Sequence, residues 1–420
     1  MRFAVVCSVR NEGPFLVEWV AWYRVLGFTD IVVVTNDCTD HSPALLDALA
    51  GAGVTHLRHD VPDATSICAR KLEAAKALPQ VSGADWVLVC DVDEFLVIHK
   101  GAGQITDLIP KDAGFLGMTI NWRVFGTSGR IAWEDGLTHR QFLRASESRD
   151  FPSTWVKTIH ARSDWFRKLG EHGPKRLLPR HAARWGEPGM AWVNADGVDL
   201  PEWTPGGDYL RRVPMARVSH ASAQMNHYMI RSAESFALKK GSLSPVAGKD
   251  RYTDSFFDRY NRNEVLDDSA MRHAPAFDAE HRTLMGLPQV ARLHHLCCAD
   301  YVARLAAKAG CRVEDDPRHA HHLALAAGDR NRINVEKARQ VFLPRPGLLQ
   351  SSGPEARNLL SDTQSSAASS ASSLDRRPDG AAMLAITKLR FIDGFTPSGS
   401  TMSSMWITSP IALPVRSTVM

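Results

Sequence analysis

The chain has 420 residues, of which 44% are hydrophobic and 23% charged, which excludes a wholly disordered protein. Fifty Lys and Arg against 46 Asp and Glu leave a formal net charge of +4, too small an imbalance to support a dedicated nucleic-acid-binding protein. The seven cysteines show no regular spacing, so we expect reduced thiols in a cytoplasmic protein. The length suggests about two to three domains.

The amino-terminal segment predicts a buried strand rather than a leader or an anchor. No stretch reaches the ~18–20 consecutive apolar residues that a membrane span needs. Residues 3–9 are largely apolar, but Arg10 and Glu12 follow where a signal peptide would have its cleavage site. We therefore expect a cytoplasmic protein, and a peripheral association with the inner face of the plasma membrane stays open.

The first hundred residues alternate between two hydrophobic patterns. Apolar runs of strand length occur at 3–9, 31–34, 54–57 and 86–90. Stretches with helical spacing begin near Pro14, Ser42 and Ser66. This alternation is typical of βαβ units and predicts an α/β fold with a mainly parallel, Rossmann-like central sheet. Right-handed crossovers would bring the strand ends to one edge, where open α/β sheets bind ligands.

The remainder of the chain is less regular. Residues 115–122 and 155–160 predict strands, and 226–240 predict a helix. The segment from 254 to about 340 looks mostly helical, and beyond Pro344 the composition turns to Ser, Ala, Gly and Pro. We therefore predict an α/β domain at 1–241, a helical extension at 242–344 and a disordered tail at 345–420.

Asp91 and Asp93 come directly after the strand predicted at 86–90. In an extended segment, side chains at i and i+2 project to the same side. Two carboxylates at the end of a buried strand favour Mg²⁺ or Mn²⁺, which keeps coordination positions for substrate phosphates. A solvated turn is the alternative use of this common pattern, and the position after an apolar strand favours the metal site.

Polar clusters also follow the first two strands. Strand one ends at Arg10, Asn11 and Glu12, and strand two ends at Asn36 and Asp37. Carboxylates at such positions accept hydrogen bonds from a ribose or a base, and an arginine can face a phosphate. Alternatively, the second cluster only builds a turn and caps the next helix. Three polar clusters on one predicted edge indicate a shared ligand site.

Taken in order, these motifs resemble family 2 glycosyltransferases with the GT-A fold, and above all the bacterial branch known as glycosyltransferase family 2-like. The matching blocks lie at 11–15, 26–28, 36–40, 91–95, 121–126 and 227–232, with Glu18, Trp19, Glu234, Phe236 and Lys239 beside them. The resemblance covers roughly residues 1–241. The combination of blocks is far more specific than any one of them.

The resemblance implies an inverting, divalent-metal-dependent transfer of a hexose-type sugar from a nucleotide-diphosphate donor to an acceptor hydroxyl. It further implies a saccharide or glycolipid acceptor and a role in cell-surface polysaccharide synthesis. The residues that it implies for nucleotide binding are Arg10, Asn11, Glu12, Asn36, Asp37, Arg70 and Asp91. It implies Asp93 and His227 as ligands of Mn²⁺ or Mg²⁺, which would neutralise charge on the leaving diphosphate. Asp91, Asp93 and Glu94 are the predicted catalytic residues.

The identity of the catalytic base is less well determined. An inverting reaction needs a carboxylate that takes the proton of the acceptor hydroxyl. The candidates are Glu94, Glu134, Asp135 and Glu147. The related branch often has a Glu near the position of Arg140, and this chain lacks it. The sequence therefore leaves the base open.

Other basic and imidazole side chains have a structural as well as a functional interpretation. Arg70 and Lys71 would stabilise the diphosphate electrostatically, or they belong to a solvated face. His227 lies in the family-like block and is preferred over His220 as a metal ligand. Arg231 stands where the branch commonly has Lys, so a positive charge remains with a different donor geometry.

Two other enzyme classes and a non-enzyme compete with this interpretation. A haloacid-dehalogenase-like phosphatase also has an Asp-x-Asp pair after a buried strand, but here Glu94 and Phe95 follow it and three βα units precede it. A non-catalytic carbohydrate-binding protein would be consistent with Arg140 and the unusual tail. A NAD-binding Rossmann enzyme is disfavoured because residues 8–13 lack spaced glycines. The sequence names neither the sugar, the nucleotide nor the oligomeric state.

Overall fold

The structure is a computed structural model that describes residues 1–61, 66–207, 209–241 and 250–328. The tail predicted at 345–420 and the last part of the predicted helical extension, from residue 329, lie outside the described residues. Within the described ranges, no helix is both long and apolar enough to cross a membrane.

The strands of the described residues are β1 (Phe3–Val9), β2 (Asp30–Thr35), β3 (Val54–Arg58), β4 (Trp86–Val89), β5 (Glu94–Ile98), β6 (Phe115–Val124), β7 (Arg144–Ala145), β8 (Val156–Ala161), β9 (Phe166–Gly170), β10 (Gly173–Leu177), β11 (Ala191–Asn194), β12 (Ala223–His227) and β13 (Val265–Leu266). The strands predicted in the first hundred residues and at 115–122 and 155–160 are confirmed.

The α-helices of the same residues are α1 (Gly13–Val25), α2 (Ser42–Ala48), α3 (Ile67–Lys76), α4 (Pro79–Ser82), α5 (Ile105–Leu108), α6 (Thr138–Gln141), α7 (Pro179–Ala182), α8 (Ala233–Lys239), α9 (Asp254–Tyr260), α10 (Ala274–Met285), α11 (Val290–Ala309) and α12 (Pro317–Ala326). The helices predicted after Pro14, Ser42 and Ser66 are present. The mostly helical character predicted after residue 254 is confirmed as far as the described residues extend.

One large sheet runs through the molecule in the order β3-β2-β1-β4-β8-β6-β12-β5, with β11 beside β6. Strands β1 to β4 pair in parallel, as do β6 with β11 and with β12. Strand β8 is antiparallel to both neighbours, and β5 is antiparallel to β12. The predicted α/β class with a mainly parallel central sheet is confirmed.

Both faces of the first strands are covered, which is why their sequences are almost continuously apolar. Val5 and Cys7 of β1 belong to a core cluster with helix α1, whereas Ala4 and Val6 point to the opposite face and pack with α3. Full burial of a large apolar side chain such as Trp19 stabilises the fold by roughly 1.5–3 kcal/mol. Two helical layers therefore hold this part of the sheet.

The helices near the end of the described chain pack on helix α1. The rings of Phe15 and Tyr301 lie 5.5 Å apart, and those of Trp22 and Phe277 lie 6.0 Å apart. A Cβ atom on Gly13 would lie only 2.3 Å from the Sγ of Cys297 in α11. Helices α10 and α11 therefore share a core with the first βα unit, and the division at residue 241 stays a prediction.

The helix predicted at 226–240 is wrong in its first half. Residues Ala223–His227 form strand β12 between β5 and β6, because long-range pairing overrides local helical spacing there. Helix α8 begins only at Ala233, where the side chain of Ser232 accepts a hydrogen bond from the Ser235 amide. His227 consequently lies at the end of a strand.

The strand order of the sheet reverses direction beside β1. Strands β2 and β3 lie on one side of β1, and β4 lies on its other side, so the direction of strand addition reverses between β1 and β4. In open α/β sheets, ligands bind outside the carboxyl ends of the strands at such a reversal. The loops at 10–12, 36–41 and 91–94 follow β1, β2 and β4 at this edge.

Candidate active site

Residues 91–94, the acidic turn, form a tight turn after β4. The Glu94 amide donates to the Asp91 carbonyl over 3.0 Å, and the Asp91 amide donates to Glu94 Oε2 over 2.8 Å. The extended geometry predicted for Asp91 and Asp93 is therefore wrong, because the Glu94 carboxylate closes the segment on itself. The indole of Trp19 donates to the Asp91 carbonyl over 3.2 Å and holds the turn against α1.

Lys157 is a charged partner of the acidic turn that sequence reasoning missed. Its Nζ lies 3.1 Å from Asp91 Oδ2 and 2.8 Å from Glu94 Oε2, and its side chain is only 1% exposed. Burial lowers the pKa of Lys157, but the charges of Asp91 and Glu94 outweigh burial and raise it well above its ordinary value. Lys157 shares its face of strand β8 with Ile159 and Ala161, and a lysine among apolar side chains is the signal that could have indicated it.

Glu94 is fully buried at the start of β5. Burial, with a smaller contribution from the charge of Asp91, raises the pKa of its carboxyl group to about 7. Its Oε1 atom has no hydrogen-bond partner among the described residues and faces His227 Nδ1 at 3.7 Å. His227 reaches this place because β12 pairs it directly with Glu94.

Asp93 is surrounded by positive and imidazole groups. Lys239 Nζ lies 3.2 Å from its Oδ2, and His227 Nε2 lies 3.4 Å from its Oδ1. Burial raises the pKa of the Asp93 carboxyl group, but Lys239 and His227 outweigh burial and hold it well below its ordinary value. The backbone amide of Tyr228 fixes the turn by donating to the Asp93 carbonyl over 2.8 Å.

The predicted residues Asp91, Asp93, Glu94 and His227 are thus brought into one network. Asp91 lies at its outer end, with a side chain that is 48% exposed, and Asp93 lies at its inner end, with 13% exposed. Lys157 joins Asp91 to Glu94, and His227 lies between Glu94 and Asp93. The network has one carboxylate that solvent reaches and one that is enclosed by cations.

The loops after β1 and β2 are held to each other. Arg10 Nε donates to the Asp37 carbonyl over 3.1 Å, and the Asn11 amide exchanges two hydrogen bonds with Thr39. Asn11 and Asp37 both have positive φ angles, 57° and 45°, a backbone region that Asn and Asp tolerate better than most residues. Arg304 of α11 donates to the Asn11 carbonyl over 2.9 Å.

Two further predicted nucleotide-binding residues lie at the same edge. The Asn36 side chain donates to Asp37 Oδ2 over 2.7 Å, while its buried Oδ1 has no partner in the part of the chain that is described. Glu12 pairs with Arg231 Nη1 over 3.0 Å. The Arg231 guanidinium lies over the Phe15 ring, 3.4 Å from its centre, and its charge also lowers the pKa of Asp93. Arg231 therefore links the β1 loop to the acidic turn.

The two basic residues predicted on α3 differ in their surroundings. Lys71 is buried, its Nζ donates to the Val9 carbonyl over 3.0 Å, and burial lowers the pKa of its amine. Arg70 lies on the exposed face of the helix. Lys71 therefore fixes the end of β1, whereas Arg70 points away from the core.

The remaining candidates for the base or a metal ligand have partners elsewhere. Glu134 pairs with Arg130, and Asp135 lies beside His294. Arg140, at the position where the related branch often has Glu, pairs with Asp278 over 2.6 Å.

His220 has a structural environment. Its Nε2 lies 2.9 Å from the Trp122 carbonyl, and burial lowers the pKa of its imidazole to about 4. Glu147 lies exposed on the surface. These placements leave the acidic turn as the main concentration of predicted residues in the described chain.

Comparison with known proteins gave structural similarities only. No family model matches the chain, and no curated protein matches it. TarS 1-349 of S. aureus is 12% identical, with 82% of this chain and 93% of that chain covered and a TM-score of 0.29. Glucosyl-3-phosphoglycerate synthase from Mycobacterium tuberculosis, in complex with Mn²⁺, uridine-diphosphate and phosphoglyceric acid, is 13% identical, with 52% and 74% covered and a TM-score of 0.26.

A third solved structure is the apo-form glycosyltransferase GlyE of Streptococcus pneumoniae TIGR4. It is 15% identical, with 39% of this chain and 34% of that chain covered and a TM-score of 0.20. Since all three TM-scores lie below 0.5, the chemistry of the site is inferred from the residues of this chain.

Proposed function

We propose that this chain is a glycosyltransferase that uses a divalent metal ion to move a sugar from a nucleotide-diphosphate donor to an acceptor hydroxyl. The observation that carries the proposal is the meeting of three polar loops, after β1, β2 and β4, at the reversal point of a mainly parallel sheet. The sequence resemblance to family 2 glycosyltransferases supports an inverting reaction on a saccharide or glycolipid in cell-surface polysaccharide synthesis.

The donor atoms beside the acidic turn fit a metal ion. Asp93 Oδ1 and His227 Nε2 lie 3.4 Å apart, a separation at which two atoms can share one ion. Carboxylate oxygens suit Mg²⁺ and Mn²⁺, and the imidazole nitrogen adds a preference for Mn²⁺. Asp93 and His227 would therefore hold the ion, with Asp91 nearby. When bound, the ion supplies Lewis-acid neutralisation of the charge on the diphosphate.

The basic residues of the site have distinct roles in this proposal. Lys157 fixes Asp91 and Glu94 from the buried side. Lys239 and Arg231 place positive charge beside Asp93 and Glu12, on the side where a diphosphate would lie. Charge-assisted hydrogen bonds from such groups to phosphate oxygens are stronger than neutral ones.

The loops after β1 and β2 are the proposed nucleoside site. The buried Asn36 Oδ1 atom would accept a hydrogen bond from a base or a ribose, which removes an otherwise costly unpaired buried acceptor. Arg10, Asn11 and Asp37 already hold one another and provide a preorganised surface. Arg70 remains a proposed diphosphate contact from helix α3.

Glu94 is better supported as a positioning residue than as the base. A pKa of about 7 would suit proton transfer, but its side chain has no exposed surface and is held by Lys157 and the Asp91 amide. An acceptor hydroxyl cannot reach it in this arrangement. We therefore propose that Glu94 sets the position of Asp91 and His227.

Donor hydrolysis by the purified full-length chain tests this function. A panel of nucleotide-diphosphate sugars is incubated with Mn²⁺, with Mg²⁺ or with a chelator, and the released nucleotide is measured. We expect metal-dependent release that Asp93→Asn abolishes and that Asp112→Asn, an exposed control, leaves unchanged. Equal release with the chelator, or unchanged release in Asp93→Asn, would reject the proposal. Phosphate release from simple phosphoesters without an acceptor would indicate the haloacid-dehalogenase-like alternative.

A further inference from the structure

A second group of ligand-type side chains lies outside the acidic turn. Its members are Asp135, His294, His295 and Cys298, called here the histidine cluster, and their donor atoms all lie within 4.8 Å of one another. Asp135 belongs to the loop after β6, and the other three lie on helix α11. Nothing in the proposed transfer reaction uses them.

The distances within the histidine cluster fit a small tetrahedral ion. His294 Nε2 lies 3.3 Å from Asp135 Oδ1 and 3.6 Å from Cys298 Sγ, and His295 Nδ1 lies 4.0 Å from Asp135 Oδ2. Tetrahedral ligands about 2.0–2.3 Å from zinc are themselves roughly 3.3–3.8 Å apart. The arrangement therefore needs only small side-chain movements to close on an ion.

The helix explains how three ligands converge. His294 and Cys298 are four residues apart and share one face of α11, and His295 reaches the same point through its Nδ1 atom. His294 and Cys298 are buried, so their polar atoms are withdrawn from water. The loop carrying Asp135 then supplies a carboxylate from across the gap.

A simple ion pair accounts for only part of the histidine cluster. An Asp135–His294 pair would satisfy one imidazole, and it leaves Cys298 and His295 unexplained. The Nδ1 atoms of His295 and His322 lie 3.4 Å apart, so a third imidazole borders the group. Three histidines and a thiol around one carboxylate are a donor set for a metal ion.

We propose that Asp135, His294, His295 and Cys298 bind one Zn²⁺ ion. A mixed sulfur, nitrogen and oxygen set favours Zn²⁺, whereas the acidic turn offers mainly carboxylate oxygens for Mn²⁺ or Mg²⁺. Four protein ligands leave no open position, so the role is structural. The ion ties the loop of Asp135 to helix α11, whose Arg304 contacts the Asn11 loop.

Metal content and thermal stability of the untagged full-length chain test the zinc site. After chelation and back-titration with Zn²⁺, we expect one tightly bound zinc per chain and a rise in Tm of about 5 °C at a hundredfold excess over Kd. Cys298→Ser and His295→Gln should lose the bound zinc and the rise in Tm. Cys311→Ser, an exposed thiol just after the same helix, should retain both.

Two outcomes would overturn the zinc site: a wild-type chain that takes up no zinc in stoichiometric amount, and a Cys298→Ser chain that binds zinc as the wild type does. Circular dichroism of each variant shows whether it is folded before its metal content is compared. Since zinc content and Tm do not require turnover, failure of the proposed transferase activity would leave this test intact. Asp93→Asn should keep its zinc.

Discussion

The acidic turn and the histidine cluster differ in the number of carboxylates that they contain and in the groups that surround them. In the acidic turn, three carboxylates lie beside Lys157, Lys239 and His227, and Asp91 stays half-exposed. In the histidine cluster, one carboxylate is surrounded by imidazoles and a thiol. The first arrangement is open at Asp91, and the second lies between a loop and a helix, with its carboxylate at the surface. Carboxylates with open coordination positions suit substrate phosphates, and a mixed set of four protein ligands suits a structural ion.

Removing the central cation of the acidic turn should produce the largest effect. Lys157→Met leaves the buried Glu94 carboxylate and Asp91 without their shared partner. Breaking a buried pair on one side costs about 3–5 kcal/mol, which urea unfolding would measure. The double variant Lys157→Met/Glu94→Gln should recover part of this loss. A single-variant loss below about 1 kcal/mol would show that Lys157 does not hold the turn.

The next effect is on nucleotide affinity. Lys239→Met removes the cation 3.2 Å from Asp93, and we expect about 10- to 100-fold weaker binding of a nucleoside diphosphate in Mn²⁺, measured by calorimetry. Lys240→Met is the matched control, because that amine pairs with Asp254 on the surface. Equal affinities of the two variants would remove Lys239 from the proposed diphosphate site.

Glu94 in the acidic turn and His322, which borders His295 of the histidine cluster, should respond to pH in opposite directions in metal-free protein. The pKa of Glu94 is raised to about 7 in the folded state, so between about pH 4.5 and 7 the folded state binds this proton more tightly than the unfolded state does. The stability that this proton contributes is therefore lost as pH rises from about 4.5 to 7. The pKa of His322 is lowered to about 4, so its contribution is lost as pH falls from about 6.5 to 4.

Unfolding free energies at several pH values would separate the two groups. Glu94→Gln should make the unfolding free energy rise more steeply with pH, and His322→Gln should make it rise less steeply. In each variant the slope should change by at most about 1.4 kcal/mol per pH unit, the limit for one proton. Changes of the same sign in both variants would contradict the assigned directions.

The smallest effect is expected at the outer end of the acidic turn. Asp91 is half-exposed and its charge is screened by water, so Asp91→Asn should change the unfolding free energy by less than about 1 kcal/mol. The same urea titration as for Lys157→Met gives the value. A loss as large as that of Lys157→Met would place Asp91, not Glu94, at the centre of the network.

Much of the fold was predictable because its determinants are local. The apolar runs of β1, β2 and β4 and the helical spacing of α1 and α3 each lie within a few residues, and both faces of these strands are buried. Strand β12 was missed because its hydrogen bonds come from β5 and β6, far away in the chain. Long-range pairing leaves little trace in a short window of sequence.

The candidate site was only partly predictable for the same reason. Asp91, Asp93, Glu94 and His227 stood in recognisable blocks, but the turn that joins them depends on how Glu94 bonds back to the Asp91 amide. Lys157 lies 66 residues from Asp91 and reaches it only through the antiparallel placement of β8.

The histidine cluster also could not be predicted from short sequence motifs, because its members come from two distant parts of the chain. The spacing of His294, His295 and Cys298 on one helix could have raised the suspicion of a metal site. Asp135 was considered only as a base, because nothing in its neighbourhood along the chain indicates that a distant helix supplies its partners.

The missing side chain at Gly13 has a practical consequence for anyone shortening this protein. The thiol of Cys297 occupies the space that a Cβ atom at position 13 would need, so helix α11 packs directly against the start of α1. A truncation after residue 241 would remove helix α11 and leave the ring of Phe15 without its contact to Tyr301. Such a fragment would expose an aromatic surface to water and would tend to self-associate.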